Sequence, residues 1–449
     1  MDSGRHGLVP FVFLAISAFA SVGSSQTPLG GEFQVNTTTT GNQSPSRSAV
    51  AMAPNGSFVV VWTGASPGGS DIFGQRYDSK GNPVGGEFRV NTYTTGGQGG
   101  ASVTMAPNGR FVVAWNGCCD GGTGSYYTFD YMGSTYTVSL GTNGVRARRF
   151  AADGTPLGSD FQVNSFTTYY QYPPSVAIDP SGNFVVVWQS GYYGDPDDMP
   201  DGSRTGVFGR RFAADGTPLD SDDFQVNTYT TESQYGPSVA TASNGDFVVV
   251  WASYGVGSTG QDGDLSGTFG QRFDKFGAMV GPEFQVNSHT TSLQSQAQVA
   301  SRTNGDFVVV WRSGYQDGDY GGIFGRRFDK FGAARGGEFP INVYTTNRQA
   351  APSVAIDGNG DFLVAWRSFG QDLDNFGVFG RRFKSSGTPA GGEFQINTYT
   401  TGIQQNQSVA ARPNGDFVVV WQSRPPGPPP LPPGQDGSAS GVFARRYRR

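Results

Sequence analysis

The residues of this chain best suited to chemistry are aspartates in pairs. Asp262/Asp264, Asp317/Asp319 and Asp372/Asp374 stand in the segments Q-D-G-D, Q-D-G-D and Q-D-L-D. Asp201 with Ser203, and Asp436 with Ser438, hold the same register in two more copies. Alternate oxygens beside glycine suit a hard cation, and calcium takes six to eight oxygens at about 2.4 Å. The distal glutamate of a full calcium loop is absent. The same residues also build solvated turns, in which Asp and Gly serve the backbone. Calcium at these six aspartates is the one cofactor expectation, with the plain turn as its alternative.

Aromatic residues are the second group. Tyr126, Tyr127 and Tyr131 lie in an insertion from Asn116 to Asn143, and Tyr192 and Tyr193 follow Gly191. Large amphipathic rings on loops are candidate ligand contacts. A catalytic constellation is harder to find. His289 is the one histidine beyond the leader. There is no nucleophile elbow that opens a helix, no metal triad and no phosphate loop. No residue is assigned a catalytic role.

Something must position these loops, and the tryptophans show what. Trp62, Trp115, Trp188, Trp251, Trp311, Trp366 and Trp421 recur at intervals of 53, 73, 63, 60, 55 and 55 residues. Each ends an apolar run such as F-V-V-V-W that follows a turn. Such periodicity marks a repeat architecture. Each unit reads as four strands. Strand A is small (Ser238-Val239-Ala240). Strand B is wholly apolar (Phe247 to Trp251), as for a strand buried on both faces. Strand C is Thr268 to Phe273. Strand D alternates (Phe224-Gln225-Val226-Asn227), the period of a half-buried strand. The expected fold is all-β: one seven-bladed β-propeller with four-stranded blades. The chain opens with a lone D strand, Glu32 to Asn36, and ends on a C strand, Val442 to Tyr447. The first strand should therefore complete the last blade and remove an exposed edge.

The A–B and C–D turns are short and uniform, whereas the D–A and B–C connections are long. Function is expected on the long-loop face. The D–A segment repeats N-T-x-T-T-x-x-Q, as in Asn227, Thr230, Thr231 and Gln234. Its amides and hydroxyls are expected to satisfy backbone, the alternative being a ring of sugar contacts. Arginine pairs on strand C, such as Arg326-Arg327 and Arg381-Arg382, are expected to pair between blades with acids such as Glu338 and Glu393.

The unit x-E-F-x-V-N-T-x-T-T-x-x-Q … G-x-F-V-V-V-W … G-V-F-G-R-R-F, running from Gly30 to Arg449, resembles tandem repeats of bacterial secreted and cell-surface proteins. The resemblance implies a repeat type and an exported setting but no activity. Calcium-binding G-G-x-G-x-D arrays, which accompany some such repeats, are absent here.

Composition narrows the classes further. The net charge of −5 offers no nucleic-acid surface. Arg5 and His6 precede an apolar run, Leu8 to Ala20, then small residues, so residues 1–25 read as a signal peptide and 26–449 as the propeller. That run is too short to span a membrane. The mature protein is expected outside the cytoplasm, in the periplasm or beyond. Cys118 and Cys119 are adjacent, which is no disulfide framework. The expected function is a noncatalytic binding or adhesion module for a glycan or protein ligand. The alternatives are a carboxylate-dependent polysaccharide hydrolase and a purely structural surface protein.

Overall fold

A computed structural model describes residues 26–46, 48–117, 125–131, 134–140, 144–167, 169–191, 201–255, 260–427, 434–437 and 439–449, with the backbone alone for 125–131 and 134–140. The signal-peptide segment, Cys118, Cys119, Tyr192 and Tyr193 lie outside the described residues. The described residues form strands and turns with no helix.

The four-strand unit recurs in order A-B-C-D. In the fifth unit the strands are Gln294–Ser301, Phe307–Ser313, Gly322–Phe328 and Phe339–Pro340, hydrogen-bonded in that order. In the sixth they are Gln349–Ile356, Phe362–Phe369, Phe376–Phe383 and Phe394–Gln395. Strand A is longer than the sequence indicated and carries a register shift, as between Ser295 and Gln298. Gln296 sits there at φ 60, the extra residue of a bulge. Strand D is shorter. It stops after two residues because its asparagine leaves the ladder. Asn287 Oδ1 instead accepts the Thr268 amide at 2.7 Å, and its Nδ2 donates to His289 O at 3.0 Å. Gln294 Nε2 donates to Thr291 O at 2.8 Å. The N-T-x-T-T-x-x-Q segment thus serves backbone satisfaction.

Packing follows from the double-sided burial of strand B. Phe307, Val309 and Trp311 face Val248 and Val250 of the preceding unit. Val308 and Val310 face Phe362, Val364 and Trp366 of the following one. Each apolar cluster therefore lies between two sheets. Trp311 is fully buried. Trp311→Ala should cost about 3–5 kcal/mol, read from the denaturant midpoint. A cost under about 1 kcal/mol would contradict its packing role.

Polar clasps join the units. Arg326 Nη1 donates to Val286 O of the preceding unit at 2.9 Å, and Arg327 Nη1 to Ser385 O of the following unit at 2.8 Å. For this pair carbonyls take the place of the expected carboxylates, whereas Arg211 of the third unit does pair with one, Asp220 of its own unit. The arginines reach carbonyls where the ladder has ended and acceptors need donors. Glu338 and Glu393 cap other backbone, accepting from Ser288 N at 2.8 Å and Val343 N at 2.7 Å.

The two ends of the chain meet. Phe33 and Gln34 pair antiparallel with Ala444 and Phe443. Val442 N donates to Asn36 Oδ1 at 2.7 Å, and Thr398 N to Glu32 Oε2 at 2.7 Å. Val35 and Trp62 share a cluster with Val418 and Val442.

Candidate active site

The long connections are stitched together in the fourth to sixth units by the second aspartate of each pair. Asp264 Oδ2 accepts from Ser292 N at 2.9 Å, Asp319 Oδ2 from Asn347 N at 2.7 Å, and Asp374 Oδ2 from Gly402 N at 2.7 Å. The first aspartate turns the other way. Asn287, Asn342 and Asn397 Nδ2 donate to Asp262, Asp317 and Asp372 Oδ2 at 3.3, 3.3 and 3.4 Å. Burial raises the pKa of these three carboxyls. The structure thus places all six predicted aspartates in their B–C loops, each pair dividing its work between two elements. Among the described residues, no group of three or more His, Cys, Asp or Glu is arranged to hold a metal. Tyr126, Tyr127 and Tyr131 fall on strand Ser125–Tyr131, which pairs with Ser134–Leu140 as a hairpin. Their side chains lie outside the described residues.

A cleft of about 410 Å³ opens on the loop face between the fifth and sixth units. Arg312, Arg348, Tyr315, Tyr320, Phe369 and Phe376 form its walls, and no Asp or Glu is among its described lining residues. Strand alternation explains Arg312. It follows Trp311 and shares the face of Val308 and Val310, which looks at the sixth unit. Nearer the loops than those valines, its guanidinium enters the cleft. Its Nη2 donates to Tyr320 O at 3.0 Å. Burial first, and then the like charge of Arg348, lower the Arg312 pKa. A bound anion would relieve the second effect.

Tyr315 is held at φ 61. A bulky residue in the left-handed region costs about 1–3 kcal/mol and persists only where its surroundings impose it. Here Gly314 N donates to Leu293 O at 2.8 Å and Gly318 N to Tyr315 O at 3.2 Å. The strain does not bury the ring, which is 62% exposed. It lies 6.1 Å from the ring of Tyr320, tilted by 42°. On the opposite wall Phe376 carries Arg367 at 4.7 Å, and Arg367 Nη1 donates to Gln405 Oε1 at 2.9 Å. The cleft offers cations for an anionic group, two phenols for proton transfer and aromatic walls for sugar faces.

The sequence reading missed this cluster. A signal was present where the repeats diverge. The residue after the tryptophan is arginine at Arg312 and Arg367, against Thr63, Asn116, Gln189, Ala252 and Gln422 elsewhere.

No protein-family model and no curated protein matches the chain. The resemblance to exported tandem repeats therefore stands on its motif alone. Solved structures do match, over most of the chain. A polysaccharide lyase, ulvan lyase, bound to -[GlcA(1-4)Rha3S]- is 10% identical with a TM-score of 0.55, covering 87% of this chain and 92% of its own. Another polysaccharide lyase is 10% identical with a TM-score of 0.53, covering 90% of each chain. A protein of unknown function from Dyadobacter fermentans is 12% identical with a TM-score of 0.51, covering 93% of this chain and 99% of its own. Likeness at such identity is one of fold. The expectation of a noncatalytic binding and adhesion module is corrected here: the two lyases are polysaccharide-cleaving proteins, which stand nearer to the alternative of a carboxylate-dependent polysaccharide hydrolase than to that module.

Proposed function

We propose that this chain cleaves a uronate-containing polysaccharide by β-elimination in the cleft between the fifth and sixth units. The observation that carries this reading is the described lining of the cleft, which holds two arginines and two tyrosines, while the nearest carboxylates, Asp264 and Asp319, are bonded to the backbone of its Ser292 and Asn347. Hydrolysis of a glycosidic bond in most families uses two carboxyl groups about 5–9 Å apart. Elimination does not. A uronate proton α to the carboxylate is removed, the C4–O bond breaks, and a C4–C5 double bond forms. Arg312 and Arg348 neutralise the carboxylate and stabilise the charge that develops as the proton leaves. One of Tyr315 and Tyr320, acting as its phenolate, takes that proton onto oxygen, and the neutral hydroxyl of the other gives its proton to the departing oxygen. Phe369 and Phe376 provide apolar walls for sugar rings.

The scaffold of this reading is a closed seven-bladed β-propeller. Its support is the seven tryptophan units and the contacts of Glu32, Phe33 and Asn36 with the last two units. Export on the residue 1–25 signal belongs to the same proposal, since polymeric glycans lie outside the cytoplasm. No helix of the described residues is long and apolar enough to cross a membrane.

The reading is tested by incubating the protein with polygalacturonate, alginate or ulvan. Ultraviolet absorbance from the new double bond should rise as viscosity falls. New reducing ends without that absorbance would overturn elimination.

Calcium at the paired aspartates is a separate proposal. Gln316 Oε1 and Asp317 Oδ1 are buried without a hydrogen-bond partner and are the oxygens free to bind it. Asp317→Asn separates the cases. Burial raises the Asp317 pKa, so the folded state holds the proton more tightly than the unfolded chain. That contribution is fully present below about pH 3.9, the ordinary aspartate value, and is lost as pH rises through the folded pKa. Asparagine removes the loss, so in chelator at pH 7 the variant should melt no lower than the parent. In millimolar calcium the parent should gain stability and the variant should gain less. Identical melts with and without calcium would end the calcium proposal.

A further inference from the structure

The turn face opposite the cleft carries a feature that the repeat does not require. The C–D turns of the fourth and fifth units read Asp274-Lys275-Phe276-Gly277 and Asp329-Lys330-Phe331-Gly332. The same turns in the first, second, third and sixth units contain no aromatic residue. Nor does the fold need the ring. The turn is held by its aspartate, with Asp274 Oδ1 accepting from Phe276 N and Ala278 N at 2.9 Å each. Phe276 is 72% exposed and Phe331 69% exposed. Leaving such rings in water forgoes a substantial hydrophobic gain. Each phenyl has its own lysine ammonium at 5.0 Å from the ring centre.

Each ring also borders a cleft. Phe276 lies on one of about 430 Å³ between the third and fourth units, beside Leu219, Asp179 and Arg211, whose guanidinium pairs with Asp220. Phe331 lies on one of about 260 Å³ between the fourth and fifth units, beside Val280, Asp246 and Arg272. The clefts are related by one repeat, and what recurs at both is the exposed phenyl with its lysine. An open aromatic face suits the apolar face of a sugar, and the adjoining lysine suits an acidic substituent.

We propose that Phe276 and Phe331, with Lys275 and Lys330, form a two-platform binding site for an anionic polysaccharide, distinct from the cleft of Arg312. The occupant is taken to be the polymer class of the proposed reaction, and to that extent the site rests on that reading. A single chain spanning both platforms would bind more tightly than either platform alone, because the second contact is intramolecular.

The experiment is affinity electrophoresis of the full chain in gels of polygalacturonate, alginate, ulvan or neutral arabinan. Parent, Phe276→Ala/Phe331→Ala and Arg312→Ala are run side by side. Thermal melts check that all three are folded. Retardation by at least one anionic polymer is expected for the parent. Phe276→Ala/Phe331→Ala should weaken it roughly tenfold or more, and Arg312→Ala should retain at least half of it. Cleavage of a short uronate oligosaccharide by the double variant should match the parent, which separates this site from the reaction. If no substrate is cleaved, the proposed reaction fails while the binding result still stands. The site is overturned by unchanged retardation of the double variant, by absence of retardation in every anionic gel, or by equal retardation in arabinan. Concentration-dependent self-association that the double variant abolishes, without any polymer binding, would also overturn it in favour of a second copy of the chain.

Discussion

Replacing Tyr315 or Tyr320 with phenylalanine is expected to lower turnover on a uronate polymer by about 10²–10⁴-fold, the usual range for removing a proton-transfer group. KM should change little, because the hydroxyl acts as the proton moves and the ring that meets the sugar remains. Both tyrosines are more exposed than buried, so melting temperatures should hold. Arg348→Ala should behave differently. It removes a cation that meets the carboxylate in both the bound and the reacting state, so KM should rise as kcat falls. Arg312→Lys should not rescue function, since one ammonium cannot replace a planar guanidinium that also binds Tyr320 O at 3.0 Å. Full activity in both tyrosine variants would remove the proton-transfer roles assigned here.

Deleting residues 31–37 is the structural counterpart. The deletion removes the outer strand of the last sheet, the acceptor for Val442 N and the carboxylate that caps Thr398. It leaves strand Gly441–Tyr447 as an open edge. A large cooperative loss of stability with aggregation is expected. A finer version uses Asn36→Ala, which strands one buried amide and should cost about 1–3 kcal/mol. Asn227→Ala removes the same bond to Val207 N inside the chain, at 2.7 Å. In a closed ring the two costs should agree, because the junction of the termini is then one interface like the rest. An unchanged melting temperature on deletion, or a negligible cost at Asn36 alone, would contradict closure.

The all-β repeat was legible because it rests on periodicity. Phe307 to Trp311 is apolar throughout, and its alternate residues enter two different clusters. The orphan strand at Phe33 was legible for the same reason, since a repeat lets a missing element be counted. The register shift near Gln296 was not, because the residue at the bulge differs from unit to unit, Gly236, Gln296, Ala351 and Asn406 all taking a positive φ there. The partners of the arginines were misjudged for a different reason. Opposite charges suggest ion pairs, yet unpaired carbonyls at strand ends compete for the same donors, and Arg326 and Arg327 go to them.

The candidate site is not legible in what the units share. The paired aspartates recur, and the second of each pair also joins two loops, as where Asp319 accepts from Asn347 N. Arg312, Tyr315 and Tyr320 are ordinary residue types within one B–C connection, and Arg348 stands in the next D–A connection. Packing of one loop set against the next brings Arg348 and the sixth-unit phenylalanines to the same cleft. In a repeat protein, residues that depart from the common pattern at a fixed register are the better pointer to function.

The central claim is that this cleft breaks a glycosidic bond without adding water. Digestion of a defined uronate oligosaccharide in heavy-oxygen water, followed by mass spectrometry of the products, tests it most directly. Elimination predicts two fragments whose masses sum to that of the substrate, one carrying a double bond and neither carrying heavy oxygen at the cleaved linkage. A fragment that has gained heavy oxygen at that linkage, with no double bond in its partner, would contradict the account and return the search to a pair of carboxylates elsewhere on the loop face.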